Sequence, residues 1–326
     1  MSNTIIKEQP TDINYKDFIA GLMFTTLIIA ATLKMPLLSF IFSFIIPLPI
    51  FFYRTKLGRK AAFVLLGLSL LVILSMVENI SFDLFFFVEL LLLGFVLAEF
   101  IEKKLTIEEI AIYTAGILIF IGFAGLFYYS LLCSKGLIQM VSEYVHQNLL
   151  ISLNLSKKIS MSQDHIMKLS ESMDEIKFVI VRIIPALFIS FMLLIIWVNL
   201  LIGKMLFQIK KLSFPEFGNL KEWKTPDILV WGLIGSGTLM LLPFQFLKLA
   251  GLNVIIVLMV IYFFQGIAIV SYFFEKKEIS QVVKVCFYSF IAIHHISLLL
   301  ITCLGLFDIW GDFRKLNNID DTPLEI

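Results

Sequence analysis

The chain has 326 residues, of which 59% are hydrophobic and only 16% charged, and its mean hydropathy is +0.95. Soluble domains carry about 25% charged residues, so this composition excludes an ordinary soluble protein and requires a lipid environment. The net charge of +1 gives no general attraction for nucleic acid, and Cys133, Cys286 and Cys303 form no CxxC pair. We therefore expect no nucleic-acid partner, no metal site and no cofactor.

Long apolar segments follow one another along the chain, with most charges between them. About 20 apolar residues in a helix cross a bilayer core, and each segment approaches or exceeds that length. They lie near 17–33, 35–53, 61–77, 82–101, 109–132, 178–206, 228–247, 251–274 and 282–307. The sequence thus predicts an all-α, polytopic transmembrane bundle of about nine spans, or eight if one segment does not cross.

The apolar segments divide the chain into four predicted regions. Residues 1–133 and 178–315 are predicted to be N-terminal and C-terminal transmembrane helices, and 316–326 a polar tail. Residues 134–177 are polar, with apolar side chains at helical spacing in two stretches that separate near Asn154–Ser160. This pattern predicts two extracytoplasmic amphipathic helices, which form either a connector on the outer surface, a lid over a site, or a docking surface for a partner.

Basic residues concentrate in alternate loops, which predicts the orientation in the membrane. These basic residues are Arg54, Lys56, Arg59, Lys60, Lys103, Lys104, Lys204, Lys210, Lys211, Lys221, Lys224, Lys276, Lys277 and Lys284. The positive-inside rule places them, with the N-terminus, in the cytoplasm. A ninth span would carry Arg314 and Lys315 outside, so either the C-terminus is external or one segment fails to span. We expect the irregular element at Lys34–Pro36 or at Pro243–Gly251.

Three ionisable residues within the predicted spans are candidates for binding a substrate. Glu89 lies in the fourth span, and His294 and His295 lie near the middle of the ninth. Ionisable groups at bilayer depth are costly and are often functional. A carboxylate and a histidine would relay protons or hold a cationic substrate. The alternative is structural, with a histidine bonded to a backbone carbonyl and Glu89 neutral or paired inside the bundle.

Uncharged polar groups within spans form a second set of candidates. Asn199 occurs in WVNLL, and Gln265 with Gly266 occurs in YFFQG. Such amides often form hydrogen bonds between helices, and they also line cavities. We include all three residues among the candidates for substrate binding.

The C-terminal half contains four segments with recognisable motifs. They are PALFISFMLLIIWVNLLIGKMLFQIKK (185–211), PEFGNLKEWKTPDILVWGL (215–233), GLNVIIVLMVIYFFQGIAIVSYFFEKK (251–277) and GLFDIWGDFRK (305–315). Together they resemble the YybS-like family of bacterial multi-pass membrane proteins, a domain of unknown function related to the S-components of energy-coupling-factor transporters. The resemblance implies an S-component-like bundle that binds a small molecule.

The resemblance also points to particular positions. The motif residues of the family fall at Trp223, Pro226, Trp231, Gln265, Gly266, Asp308, Trp310, Asp312 and Arg314. From their spacing alone, we expect Asp308, Asp312 and Arg314 to cap the last helix and anchor it at the membrane interface.

Motifs of soluble enzymes are absent from the chain. It contains no GxxxxGK[ST], HExxH, GxSxG or GxGxxG. We therefore expect no enzymatic activity and no catalytic residues. The resemblance, the polar groups within the spans and the external amphipathic segment instead lead us to expect a protein that binds or transports a small molecule. The alternative is a non-transporting scaffold or regulatory subunit that docks a membrane protein partner. A third hypothesis, an intramembrane enzyme acting on lipid through Glu89 and the histidines, has the least support.

Overall fold

The computed structural model describes residues 15–77, 82–103, 105–158, 163–212, 214–215 and 217–315. Within these ranges the chain is helical, without strands. The helices are α1 (Tyr15–Lys34), α2 (Pro36–Ser43), α3 (Pro47–Leu57), α4 (Arg59–Met76), α5 (Phe82–Ile101), α6 (Ile107–Leu132), α7 (Leu137–Lys158), α8 (Gln163–Glu171), α9 (Met173–Ile209), α10 (Ile228–Leu241), α11 (Gln245–Lys276), α12 (Gln281–Ile293) and α13 (His295–Gly311). The predicted polar tail, 316–326, lies outside the described residues.

Seven helical segments of the described chain are long and apolar enough to cross a membrane, or eight if α12 and α13 count as one bent span. The all-helical, multi-pass architecture is therefore confirmed, whereas a count of nine is not. Two of the predicted spans do not form a helix of this kind. The 14-residue helix α10 rises only about 21 Å and ends before Pro243. The predicted ninth span bends by 106° between α12 and α13.

The chain forms two units. The first comprises Met1–Val181 and Met192–Glu216, and the second comprises Arg182–Phe191 and Phe217–Ile326. The long helix α9 contributes residues to both. The division into four regions predicted from the sequence remains a prediction.

A network of ion pairs joins α3, α4 and α5 of the first unit. The guanidinium of Arg54 is 1% exposed and forms hydrogen bonds of 2.7 and 2.8 Å with both carboxylate oxygens of Glu102. Its Nε also donates to Glu99 at 2.8 Å, and Glu99 accepts a second arginine, Arg59. Bidentate pairs of this kind are among the strongest hydrogen bonds in proteins. Arg54 and Arg59, which contribute to the predicted orientation, therefore also hold α3, α4 and α5 together.

The segment between α6 and α9 carries the two predicted amphipathic helices, α7 and α8. The ammonium of Lys135, just before α7, forms an exposed ion pair with Glu143, and this hydrogen bond raises the pKa of Lys135 and lowers that of Glu143. Among the apolar side chains of α7, Ile138, Ile151 and Leu155 are exposed. Met140, Val145 and Leu153 are buried, so α7 has both buried and exposed apolar side chains.

In the second unit, α10 and α11 form an antiparallel hairpin. A β-carbon added at Gly251 of α11 would meet the carbonyl oxygen of Ser236 and the side chain of Leu239, both in α10. Helix α12 then packs beside the C-terminal end of α11, where the rings of Phe274 and Phe287 lie 5.1 Å apart. Gly251 allows the close approach of α10 and α11, as small residues do in many membrane proteins.

Helices α11 and α13 cross at two glycines. A β-carbon at Gly305 would collide with the carbonyl oxygen of Tyr262 and the backbone nitrogen of Gly266, and one at Gly266 would collide with the carbonyl oxygen of Ile301. Because these obstacles are backbone atoms, no side-chain rotation relieves the collision. The crossing therefore depends on both glycines.

We expect Gly305→Ala to destabilise the protein by about 1–3 kcal/mol, the usual cost of overpacking. The matched control is Gly237→Ala, because nothing lies within 4 Å of a β-carbon at Gly237. Since alanine favours helix over glycine by about 1 kcal/mol, this control should leave stability unchanged or slightly higher. Thermal unfolding in detergent measures both, and equal effects would contradict the proposed crossing.

Candidate functional site

The structure assigns the sequence-predicted candidates to both units. Glu89 and Asn199 lie in the first, whereas Gln265, Gly266 and the two histidines lie in the second. Of these candidates, Gln265 donates a hydrogen bond to the motif residue Asp308, which also accepts one from Arg314. All three side chains are buried in the second unit.

Asp308, near the end of α13, is the centre of the cluster. Its Oδ2 accepts hydrogen bonds from Nε2 of Gln265 at 3.2 Å and from Nη2 of Arg314 at 2.8 Å, and its Oδ1 accepts from the backbone N–H of Phe313 at 2.9 Å. Asp308 and Arg314 are only 1% and 3% exposed. The two residues predicted to anchor the last helix thus form a buried ion pair.

The other motif acid, Asp312, ends α13 in the left-handed conformation, with φ of 35°. Its backbone N–H donates to the carbonyl oxygen of Asp308 at 3.0 Å. A left-handed residue after a helix reverses the chain direction, so this turn directs Arg314 back towards Asp308.

An irregular segment covers this cluster. Residues 221–227, which we call the strap, precede α10 without forming a helix. Nη1 of Arg314 donates to the carbonyl oxygens of Lys221 and Trp223, at 2.8 and 2.9 Å. Irregular backbone at bilayer depth is tolerated where it is buried in protein and its polar groups are satisfied. The Arg314 side chain satisfies two of these groups.

The strap follows α11 from its end towards its middle. Nζ of Lys221 pairs with Oε1 of Glu275 at 2.6 Å, and the N–H of Thr225 donates to Oε1 of Gln265 at 3.3 Å. Glu275 and Gln265 are ten positions apart on α11, which corresponds to about 15 Å of helix rise. The strap therefore lies beside the C-terminal half of α11, and α10 lies beside its N-terminal half.

Three polar atoms of this region have no hydrogen-bond partner among the described residues. They are Oγ1 of Thr225, the hydroxyl of Tyr262 and Nε of Arg314, and all three are buried. Tyr262 precedes Gln265 by one helical turn and so lies on the same face of α11. We call Thr225, Tyr262, Gln265, Asp308 and Arg314 the polar node. Leaving such atoms unsatisfied costs about 1–3 kcal/mol each, so they require an explanation.

Sequence reasoning missed two members of the node. Thr225 has no distinctive context beyond the adjacent Pro226, and Tyr262 lies in an apolar run that predicts only a span. The one available signal is helical spacing, since Tyr262 is three positions before the candidate Gln265. Among the other motif residues, Trp231 and Trp310 are exposed on the surface of this unit.

Glu89 is buried in the first unit, with 5% of its surface exposed. The Oε1 of its carboxylate occupies the space that a β-carbon at position 122 would need. Gly122 of α6 thus makes room for this side chain. Whether Glu89 carries protons stays a prediction.

The two histidines lie at the interruption of the predicted ninth span. His294 separates α12 from α13, its ring lies 4.9 Å from that of Phe290, and both His294 and His295 are exposed. Because Glu89 belongs to the other unit, the hypothesis of a Glu–His relay stays a prediction.

Asn199 has a structural role in the first unit. Its Nδ2 donates to the carbonyl oxygens of Phe44 and Ile195, at 2.9 and 2.8 Å. Phe44 lies where α2 ends and α3 has not yet begun, and Pro47 at the start of α3 has no N–H to donate. The asparagine therefore satisfies a carbonyl released by a break in a span.

The comparisons with known proteins agree with this architecture. A family model described as Predicted membrane protein (DUF2232) matches residues 23–309. The chain belongs to this family. No curated protein and no solved structure matches the chain. The region matched to DUF2232 includes every residue of the polar node except Arg314, which follows its end by five positions.

We expect Asp308→Asn to lower the free energy of unfolding by about 3 kcal/mol, because it leaves the charge of Arg314 buried without a counter-ion. Asp227→Asn is the matched control, since that side chain is 75% exposed and pairs with Lys224 only at 3.9 Å. The control should change stability by less than about 0.5 kcal/mol. Unfolding in detergent followed by tryptophan fluorescence measures both, and a mild effect of Asp308→Asn would show that the pair contributes little.

Proposed function

We propose that this DUF2232 protein binds or transports a small molecule within the membrane and catalyses no reaction. The observation that carries the proposal is the buried polar node, which lies where the strap packs against α11 and the end of α13. Gln265 and Gly266, on α11, are the candidates from the sequence that belong to this region.

Interrupted helices are typical of binding sites in transporters, because unwound backbone supplies polar groups at bilayer depth. Two such elements occur in the second unit. The strap precedes the short helix α10, and α12 meets α13 at a bend of 106°. The resemblance to S-components supports the same class of function, and an S-component-like relation is part of this proposal.

We also propose that the chain lies in a bacterial inner membrane with its N-terminus in the cytoplasm. The basic loops support this orientation through the positive-inside rule. The contacts of the second unit support a C-terminus on the same side as these loops. Helix α12 starts beside the C-terminal end of α11, and after α13 the backbone carbonyl of Arg314 accepts a hydrogen bond from Tyr272, close to that same end, at 3.5 Å.

Both ends of the α12–α13 segment thus lie towards the C-terminal end of α11, at Lys276. A re-entrant pair of helices has this arrangement, whereas a crossing span would carry its last residue to the other end. Arg314 and Lys315 then remain on the cytoplasmic side, together with Lys276 and Lys277.

A scaffold or regulatory subunit is the second candidate function. The exposed apolar residues Ile151 and Leu155, one turn apart on α7, favour it, because adjacent exposed apolar groups mark interaction sites. In this alternative, α7 docks a membrane protein partner.

Native mass spectrometry of the full chain, gently extracted from bacterial membranes, distinguishes the two functions. Binding predicts a retained small molecule of defined mass, which Gln265→Leu should weaken and Ile151→Glu should not. A retained protein subunit that is lost in Ile151→Glu, with no small molecule, would instead establish the scaffold.

The proposed topology predicts that green fluorescent protein fused after Ile326 is fluorescent, because it folds on the cytoplasmic side. Alkaline phosphatase fused at the same position should be inactive. A phosphatase fusion at Lys135, in the segment predicted to be outside, is the positive control. Phosphatase activity at the C-terminus would show that α12 and α13 cross the membrane.

A further inference from the structure

The polar node has hydrogen-bonding groups that this conformation leaves unused. The hydroxyls of Thr225 and Tyr262 and the Nε of Arg314 are buried so completely that no water-sized space adjoins them. Buried polar groups are normally satisfied by protein or by ordered water. In a permanently closed node these three groups would never form a hydrogen bond. In an opened node they could form hydrogen bonds with a molecule that enters.

The charges of the node restrict what can enter. The carboxylate of Asp308 and the guanidinium of Arg314 are 2.8 Å apart and neutralise each other. On the strap, Lys221 pairs with Glu275. A charged ligand would bring an uncompensated charge into a low-dielectric site, which is strongly unfavourable. The node therefore favours a molecule without net charge.

The unused groups also restrict the ligand's hydrogen-bonding chemistry. The Nε–H of Arg314 can only donate, and the two hydroxyls can donate or accept. A ligand that satisfies all three must carry at least one accepting oxygen, such as the carbonyl of an amide. The nearby carbonyl oxygens of Lys221 and Trp223 already accept from Nη1 of Arg314.

The strap is the element most easily displaced to make room. It has no internal helical hydrogen bonds, and it is held to α11 and α13 by side chains, through Arg314, Lys221 and Gln265. Moving it exposes the node without unwinding α11 or α13, which the Gly266–Gly305 crossing holds together.

We propose that the polar node is a binding site for an uncharged small molecule with a hydrogen-bond-accepting oxygen, and that the ligand enters when the strap moves away from α11. This inference rests on the proposed function and adds to it the location and the chemical class of the ligand.

The test uses two probes of the same shape, uncharged benzamide and anionic benzoate, with the full chain in lipid nanodiscs. A ligand that binds the folded state raises the thermal midpoint. We expect millimolar benzamide to raise the midpoint and benzoate to leave it unchanged. An equal shift with benzoate, or no shift with benzamide, would overturn the proposal.

Variants locate the site. Tyr262→Phe and Thr225→Val remove hydroxyls that have no partner, so both should fold with unchanged or higher midpoints but lose the benzamide shift. Tyr288→Phe, on α12 and outside the node, is the matched control and should keep it. A benzamide shift that survives in both node variants would overturn the assignment to the node.

A reversible cross-link tests entry past the strap. In a chain whose Cys133, Cys286 and Cys303 are replaced by serine, Lys221→Cys and Glu275→Cys would be joined by a short, reducible bis-thiosulfonate. We expect the cross-link to abolish the benzamide shift and reduction to restore it. A shift that persists in the cross-linked protein would show that the strap is not the entrance.

The assignment of the ligand to the node and the proposed function can be refuted by different results. A small molecule retained in native mass spectrometry, but unaffected by Tyr262→Phe and Thr225→Val, would overturn the node as its site and leave the proposed function standing. The absence of any retained small molecule, together with a retained protein subunit, would remove the proposed function itself.

Discussion

The second unit depends on one constraint, which is that backbone polar groups removed from water must find partners within the protein. The strap has no helical bonds of its own, and Arg314 satisfies the carbonyl oxygens of Lys221 and Trp223. Arg314 can be buried because Asp308 neutralises it, and Asp308 is held in turn by Gln265. A chain of charge-assisted hydrogen bonds thus makes an interrupted span possible.

The first unit meets the same constraint with different residues. Asn199 satisfies the carbonyl of Phe44 at the break between α2 and α3, and Arg54 is matched by Glu99 and Glu102. Single buried atoms without a partner, such as Oδ1 of Asn199 and Oγ1 of Thr114, also occur in the described part of the first unit. The node differs because two such hydroxyls and one guanidinium N–H belong to a single cluster. That surplus is the physical basis for assigning it a ligand.

The candidate site was only partly predictable. Gln265 stands out because an amide in an apolar run is costly, and the motif resemblance singles out Asp308 and Arg314. The sequence does not predict the contact between Asp308 and Arg314, because their spacing alone indicates a position at the interface. Tyr262 gave little signal, because a tyrosine within a span is compatible with packing, with the interface and with a site. Its buried, unpartnered hydroxyl is visible only once its neighbours are in place.

The sequence by itself determined that the chain is a multi-pass helical membrane protein, because hydropathy and segment length are local properties. Tertiary structure decided which apolar segments remain continuous. The bend at His294 has neither a proline nor a glycine beside it, and so nothing in the local sequence marks it. It follows from packing, since α12 lies against the end of α11 while α13 must cross α11 at Gly266 and Gly305, and one straight helix cannot satisfy both contacts.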